Sequence, residues 1–296
     1  MLRRLLASLL FVAALTAQAL TVATYNVENY LITNRLVEGV YREKYPKPEA
    51  EKAAVRQAIK AMAPDLLALQ EMGTLPFLEE LQRDLKAEGL DYPHLALVQG
   101  VDQDRHVAVL SKVPFKDVRQ HAQVPVTYLG SADFVQRGVL EVTIGTTEGD
   151  LTVFVLHLKS RRTVRPDDPE SVAQRSAEAE AVRDLVLQRF PDPTQAKFVI
   201  CGDWNDTRGS RAVRALQKRG DTVVGEILRA GDSRGDTWTH FYRREDSYSR
   251  IDYLLVSPAL RPFVANKGTA RIFDGIEIGA GSDHRPVFMQ LALEAK

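Results

Sequence analysis

The chain of 296 residues carries 45% hydrophobic and 26% charged side chains with 18 Gly and 14 Pro, the profile of a globular protein and not of a disordered, collagenous or coiled-coil one. Thirty-nine Lys and Arg balance 39 Asp and Glu, which excludes a polybasic or acidic tail, so any charged partner is met locally. Cys201 is the sole cysteine, which excludes a disulfide framework and multi-cysteine zinc or iron–sulfur sites; any metal is held by oxygen and imidazole.

In chain order, Arg3 and Arg4 precede an apolar run from Leu5 to Leu15 and then Ala17-Gln18-Ala19, the succession of a secretory signal peptide. That run is too short to span a bilayer and no later one is long enough, so the expected product is secreted or periplasmic with no stable membrane anchor. Residues 1–19 read as the signal and residues 20–296, without a break in composition, as one domain. Strand signals fall at residues 20–25, 65–70, 107–110, 135–144, 151–157, 197–201, 251–256 and 287–293. Glu148-Gly149-Asp150 turns a hairpin whose alternation predicts one buried face.

Two helices stand between these strands. Pro48 opens one with Val55, Ile59 and Met62 at helical spacing, ended by Ala63-Pro64. Asp168-Pro169 caps a longer one that turns Val172, Ala179, Val182, Val186 and Phe190 toward the core. Residues 34–52, 159–170 and 232–250 are the most polar stretches and read as loops. Hairpins mixed with strand–helix units predict an α/β body with mixed or antiparallel sheets, not a doubly wound parallel one.

Polar residues gather where strands end. Asn26 and Glu28, Glu71, His157, and Asp203 with Asn205 each follow an apolar strand, and Asp252 and Asp283-His284 bracket the last ones. Any one of them alone is an ordinary turn or cap residue, so the argument rests on their number. Burying an unpaired charge costs several kcal/mol, so such strand ends lie at a solvated rim or converge on a cation. Carboxylate and amide oxygens with few imidazoles suit Mg2+, Mn2+ or Ca2+, and a Mg2+ site short of protein ligands is completed by substrate phosphate. Asp252 with His284 is the candidate pair in which a carboxylate fixes an imidazole.

Five blocks in order carry a family resemblance: Thr24-Tyr25-Asn26-Val27-Glu28-Asn29; Leu69-Gln70-Glu71; His157-Leu158-Lys159-Ser160; Gly202-Asp203-Trp204-Asn205-Asp206 with Arg250-Ile251-Asp252-Tyr253 downstream; and Ser282-Asp283-His284-Arg285-Pro286-Val287. The chain resembles the endonuclease/exonuclease/phosphatase superfamily of DNase-I-like and exonuclease-III-like metal-dependent phosphoesterases. The resemblance implies a four-layer α/β sandwich, two mixed β-sheets packed face to face with helices outside, and a cleft at the strand ends. It implies Glu71 as principal Mg2+ ligand, Asn26 in the metal network or on a phosphate oxygen, and Asp283 assisting the metal. It further implies Asp203 as the group that orients or deprotonates water, Asn205 on the scissile phosphate, and His284, held by Asp252, stabilising the phosphoryl group. His157 would be a proton donor or phosphate contact on the leaving-group side, and Arg137 stands where relatives often carry a phosphate-side arginine. The histidine at 157 disfavours abasic-site endonucleases, and the Tyr248–Asp252 stretch disfavours inositol-polyphosphate phosphatases.

Lys159, Arg161, Arg162 and Arg165 form a basic loop after His157 that suits a DNA or RNA backbone. Arg234, Arg243, Arg244 and Arg250 near Trp238, Phe241, Tyr242 and Tyr248 offer stacking on unpaired bases, or else those aromatics pack the loop. The expected activity is a divalent-metal-dependent nuclease with little sequence preference; the alternative is a phosphatase or a phospholipase/sphingomyelinase-type hydrolase of a small or lipid phosphoester.

Overall fold

In the computed structural model residues 19–163 and 165–296 are described; all but the last residue of the predicted signal lies outside them. Two mixed sheets lie face to face. The first runs in the order Arg229–Gly231, Thr269–Ile272, Val287–Leu291, Leu20–Tyr30, Leu66–Met72, His106–Ser111, His94–Val98, and the second Glu226–Ile227, Asp252–Val256, Phe198–Asp203, Gly149–His157, Val139–Thr146, Phe115–His121. Leu20–Tyr30 is parallel to Leu66–Met72 and Gly149–His157 is parallel to Phe198–Asp203, whereas the other central pairs are antiparallel. Side-chain alternation fills both faces. Val22, Ala68, Val109, Leu140, Val142, Val153, Val155, Cys201 and Leu254 form the core between the sheets. The outer face of the second sheet packs Phe154, Leu156, Ile200 and Tyr253 against Ala179, Val182 and Val186 of the helix Val172–Arg189. Ala23, Leu67 and Leu69 pack outward against Val55 and Ile59 of the helix Glu49–Met62 and Leu78, Leu81 and Leu85 of the helix Leu75–Ala87. The result is the four-layer sandwich.

Several expectations change. The hairpin joining Val139–Thr146 to Gly149–His157 turns at the predicted place, but Val139–Thr146 is buried throughout, because the strand lies between a sheet on one side and a helix on the other. Residues 34–52 are not a loop: Ile32–Val37 and Val40–Pro46 pair as a two-stranded hairpin, and the helix begins at Glu49. Within residues 232–250, His240–Tyr242 pairs with Ser247–Ser249. Val172 points to solvent at 49% exposure, so the start of the long helix buries the polar Gln174, Arg175, Ser176 and Glu178, and its apolar face toward the core begins at Ala179. Asp168 does cap that segment, its two carboxylate oxygens accepting from the N–H groups of Ala173 (2.8 Å) and Gln174 (3.0 Å).

Candidate active site

The site lies where both sheets end, and local backbone strain marks it. Glu28, Asn29, Glu71 and Asn205 all hold positive φ, between 46° and 59°. Such conformations cost about 1–3 kcal/mol each and persist where the surrounding packing imposes them. Gly202 (φ 136°) shows the same crowding, since a Cβ there would run into the Leu156 carbonyl of the parallel strand. That close approach sets His157 opposite Asp203 in register, and Asp203 opposite Asp252 on the other side. Trp204, fully buried with its ring 4.8 Å from Tyr253, anchors the loop that carries Asn205.

Asp203 is the hub. Its carboxylate accepts from Asn26 Nδ2 (3.0 Å), Asn205 N (2.8 Å) and Asn205 Nδ2 (3.3 Å). His157 Nε2 lies 3.6 Å and His284 Nε2 3.8 Å from its Oδ2. His284 Nδ1 is bonded to Asp252 Oδ2 at 2.9 Å, as predicted, while Thr239 Oγ1 accepts from the N–H groups of Ile251 and Asp252 (3.1 Å each). Asn205 Nδ2 also donates to the Leu158 carbonyl at 2.9 Å.

Charge follows from these neighbours. Burial lowers the affinity of His284 for a proton, yet Asp252, Asp203 and Asp283 outweigh it and hold the imidazole well above its ordinary range. Burial, helped by the Arg137 and His284 charges, drives His157 well below that range. Burial and the Asp252 charge push Asp203 up to about 7 against the pull of His284 and its hydrogen bonds. Two imidazoles of opposite protonation therefore flank one carboxylate that titrates near neutrality.

The metal-side residues join the hub through the strand Leu20–Tyr30. Asn26 Oδ1 accepts from Glu28 N (3.0 Å), Glu28 Oε2 accepts from Asp283 N (2.9 Å), and Ser282 Oγ donates to the Asn26 carbonyl (2.8 Å). Burial, with Asp283 and Glu71 adding like charge, raises the Glu28 carboxyl to about 7. Glu71 Oε2 accepts from Asn29 N at 2.9 Å, and among the described residues no donor meets its other oxygen. Glu71, Asn26 and Asp283 carry carboxylate and amide oxygens, donors of the kind a hard divalent cation takes. Tighter groupings of possible ligand atoms occur at Asp203, Asp252 and His284 and at His240, Asp283 and His284.

Not every predicted contact faces the site. Two of the three Arg137 guanidinium nitrogens are engaged, Nε by Asp102 (3.0 Å) and Nη1 by the Leu158 carbonyl (3.4 Å), and the residue is buried. Lys159 turns its ammonium back onto the carbonyls of Ser160 and Arg162, because that loop folds on itself. Arg161 (3.9 Å from Glu170) and Arg162 remain on the surface, and Arg165 pairs with Asp167. Arg250 lies over the Tyr253 ring and donates to the Leu228 carbonyl; Arg285 covers Trp238, and Phe241 stacks on Tyr248. Trp238 and Phe241 pack against Tyr248, while Tyr242 (40%) and Tyr248 (55%) keep exposed faces. Sequence reading missed His240, whose ring lies 4.6 Å from that of His284 and whose Nε2 is 3.6 Å from Asp283; the backbone bridge that places it there leaves no local signal. It also missed Glu178, fully buried, which accepts from the N–H groups of Lys159 (2.7 Å) and Gln136 (3.2 Å) and ties the His157 loop to the helix Val172–Arg189.

Paired sheets that end in carboxylates, amides and carboxylate-held imidazoles define a DNase-I-like phosphoester hydrolase. The profile of the Endonuclease/Exonuclease/phosphatase family matches residues 23–284, and the chain belongs to that family. It is a metal-dependent phosphoesterase. Its fold is similar to the human Nocturnin catalytic domain with bound sulfate (15% identity, 94% of this chain and 95% of that chain, TM-score 0.63). It is likewise similar to a beta toxin variant from Staphylococcus aureus with bound magnesium ions (16%, 93% and 100%, 0.64) and to sphingomyelinase C from Streptomyces griseocarneus (17%, 93% and 99%, 0.63). No curated protein matches the chain.

Proposed function

We propose that the protein is an exported, Mg2+-dependent phosphodiesterase that cleaves the DNA or RNA backbone with little sequence preference. The observation that carries the reading is the Asp203 hub, where a carboxylate near neutrality lies between a protonated and a neutral imidazole, beside oxygens suited to a hard cation. Glu71, Asn26 and Asp283 would hold the cation, which would supply charge neutralisation at the phosphoryl oxygens. Asp203 orients the attacking water and takes its proton. Asn205 and the charged His284, fixed by Asp252, bind the phosphoryl oxygens as charge builds in line. His157, neutral and with Nδ1 unpartnered among the described residues, contacts the leaving-group side. Exposed Arg161 and Arg162 beside His157 favour a polyanionic substrate.

A second reading, hydrolysis of a phospholipid, is favoured by one feature. The hairpin Ile32–Val37/Val40–Pro46 exposes Leu36 (69%), Val40 (52%) and Tyr41 (62%). Plasmid DNA, RNA, sphingomyelin vesicles and small phosphate monoesters assayed side by side with Mg2+, Mn2+ or Ca2+ separate the two. Nicking or strand scission that stops in chelator is expected; hydrolysis of lipid or monoester alone would remove the nuclease reading. Export is tested by the amino terminus of protein secreted from a bacterial host, expected at Leu20.

A further inference from the structure

A groove of about 950 Å3 runs from the loop after Asn205 along the edge where the chain passes from one sheet to the other. Its lining carries Arg208, Arg229, Arg250, Lys267 and Arg271 against a single carboxylate, Asp232. That carboxylate is already spent. Its Oδ2 takes Arg285 Nη1 at 2.8 Å, and its Oδ1 accepts from the N–H groups of Arg234 (2.9 Å) and Asp236 (2.8 Å). Arg208, Arg229, Lys267 and Arg271 are exposed, and among the described residues none has a carboxylate within 4.0 Å. The Nε of Arg250 is buried without an acceptor.

The fold builds this charge into a line. Arg229 pairs with Thr269 and Gly231 with Arg271 in parallel register, so the two guanidinium side chains leave one face of the sheet edge. Lys267 sits in the left-handed turn just before that strand. At the other end Arg208 stands three residues after Asn205 and Arg250 two before Asp252, so the chain segments that carry two site residues run directly into the groove wall. Like charges held together repel, and a concave wall of one sign concentrates anions of the other.

We propose that this groove is a second binding stretch that holds backbone phosphates of a polynucleotide strand away from the scissile bond. The proposal rests on the nuclease reading and adds the path of the substrate: the strand leaves the Asn205 side and follows Arg208 to Arg271.

The test is the triple variant Arg229→Ala/Lys267→Ala/Arg271→Ala, with Arg229→Lys/Arg271→Lys as a charge-preserving partner. Binding of a fluorescent 20-nucleotide single strand is measured in chelator across a salt series, with thermal melts to confirm folding. Wild-type cleavage of the same strand with Mg2+ is measured separately, with bis(p-nitrophenyl) phosphate as a small diester. The triple variant is expected to bind about tenfold more weakly or worse, with the slope of log K against log salt shallower by about 2; the lysine variant is expected to keep the wild-type slope. Unchanged affinity and slope in a folded triple variant overturn the groove. A wild type that hydrolyses the small diester but cuts no strand overturns the nuclease reading instead, whatever the variants bind. Loss of binding to anionic phospholipid vesicles with strand binding intact would assign the groove to a membrane surface and overturn the proposal.

Discussion

Around Asp203 three N–H groups, one from Asn26 and two from Asn205, and the imidazoles of His157 and His284 meet one carboxylate, and these four residues come from different strand ends or loops. Asp203→Asn keeps the shape of the side chain but cannot accept a proton, and His284→Ala removes the charged donor. Each is expected to lower kcat by about 10^2–10^4-fold with an unchanged circular dichroism spectrum, and near-wild-type turnover in either would refute the role given to it. Glu178 makes a prediction in pH. Burial raises its carboxyl to about 7 against Arg137 and two backbone N–H donors, whereas the ordinary value is 4.5. Its contribution to stability is therefore complete below about 4.5 and is lost as pH rises through about 7. Wild-type melting temperature should fall as pH rises from about 4.5 through about 7. Glu178→Gln, which cannot titrate but sets an amide NH2 against one of the two N–H donors, should lose that pH dependence at a constant cost of its own, so that the difference between the two proteins changes across the range. A constant difference across that range would contradict the assignment.

At the scale of elements, the strand Phe198–Asp203 shows how a sequence motif becomes geometry. Gly202 lets the strand pass so close to the Leu156 carbonyl that His157, Asp203 and Asp252 fall side by side. Gly202→Ala is expected to cost about 1–3 kcal/mol or more, from overpacking added to a disfavoured φ, read as a drop in the denaturation midpoint. Most central strands were legible because they are continuous β-branched runs. The helix Leu75–Ala87, the edge strand Phe115–His121 and the hairpin after Leu31 were not. Phe115–His121 carries exposed charged residues, and the hairpin pairs outside both large sheets, so neither shows the apolar pattern that sequence reading depends on.

Across the whole molecule, the two sheets act as a frame that brings the ends of Leu20–Tyr30 and Leu66–Met72 in one sheet beside those of Gly149–His157 and Phe198–Asp203 in the other. Ion binding to the folded state alone stabilises it, so Mg2+ at about 100 times its Kd should add about 2.7 kcal/mol and raise the melting temperature, and Glu71→Ala should abolish that rise. A melting temperature indifferent to Mg2+ in the wild type would place the cation elsewhere. By itself the sequence determined the α/β class and the strand-end blocks, because apolar strands, caps and local motifs are written in consecutive residues, and it offered Asp252 and His284 as a candidate pair. Only the tertiary structure decided which groups meet. It brought His240 against His284, turned Lys159 back on its loop, and lined up Arg208, Arg229 and Arg271. The histidine pair and the groove cations join residues distant in the chain, and their placement follows from sheet register and packing rather than from any local pattern.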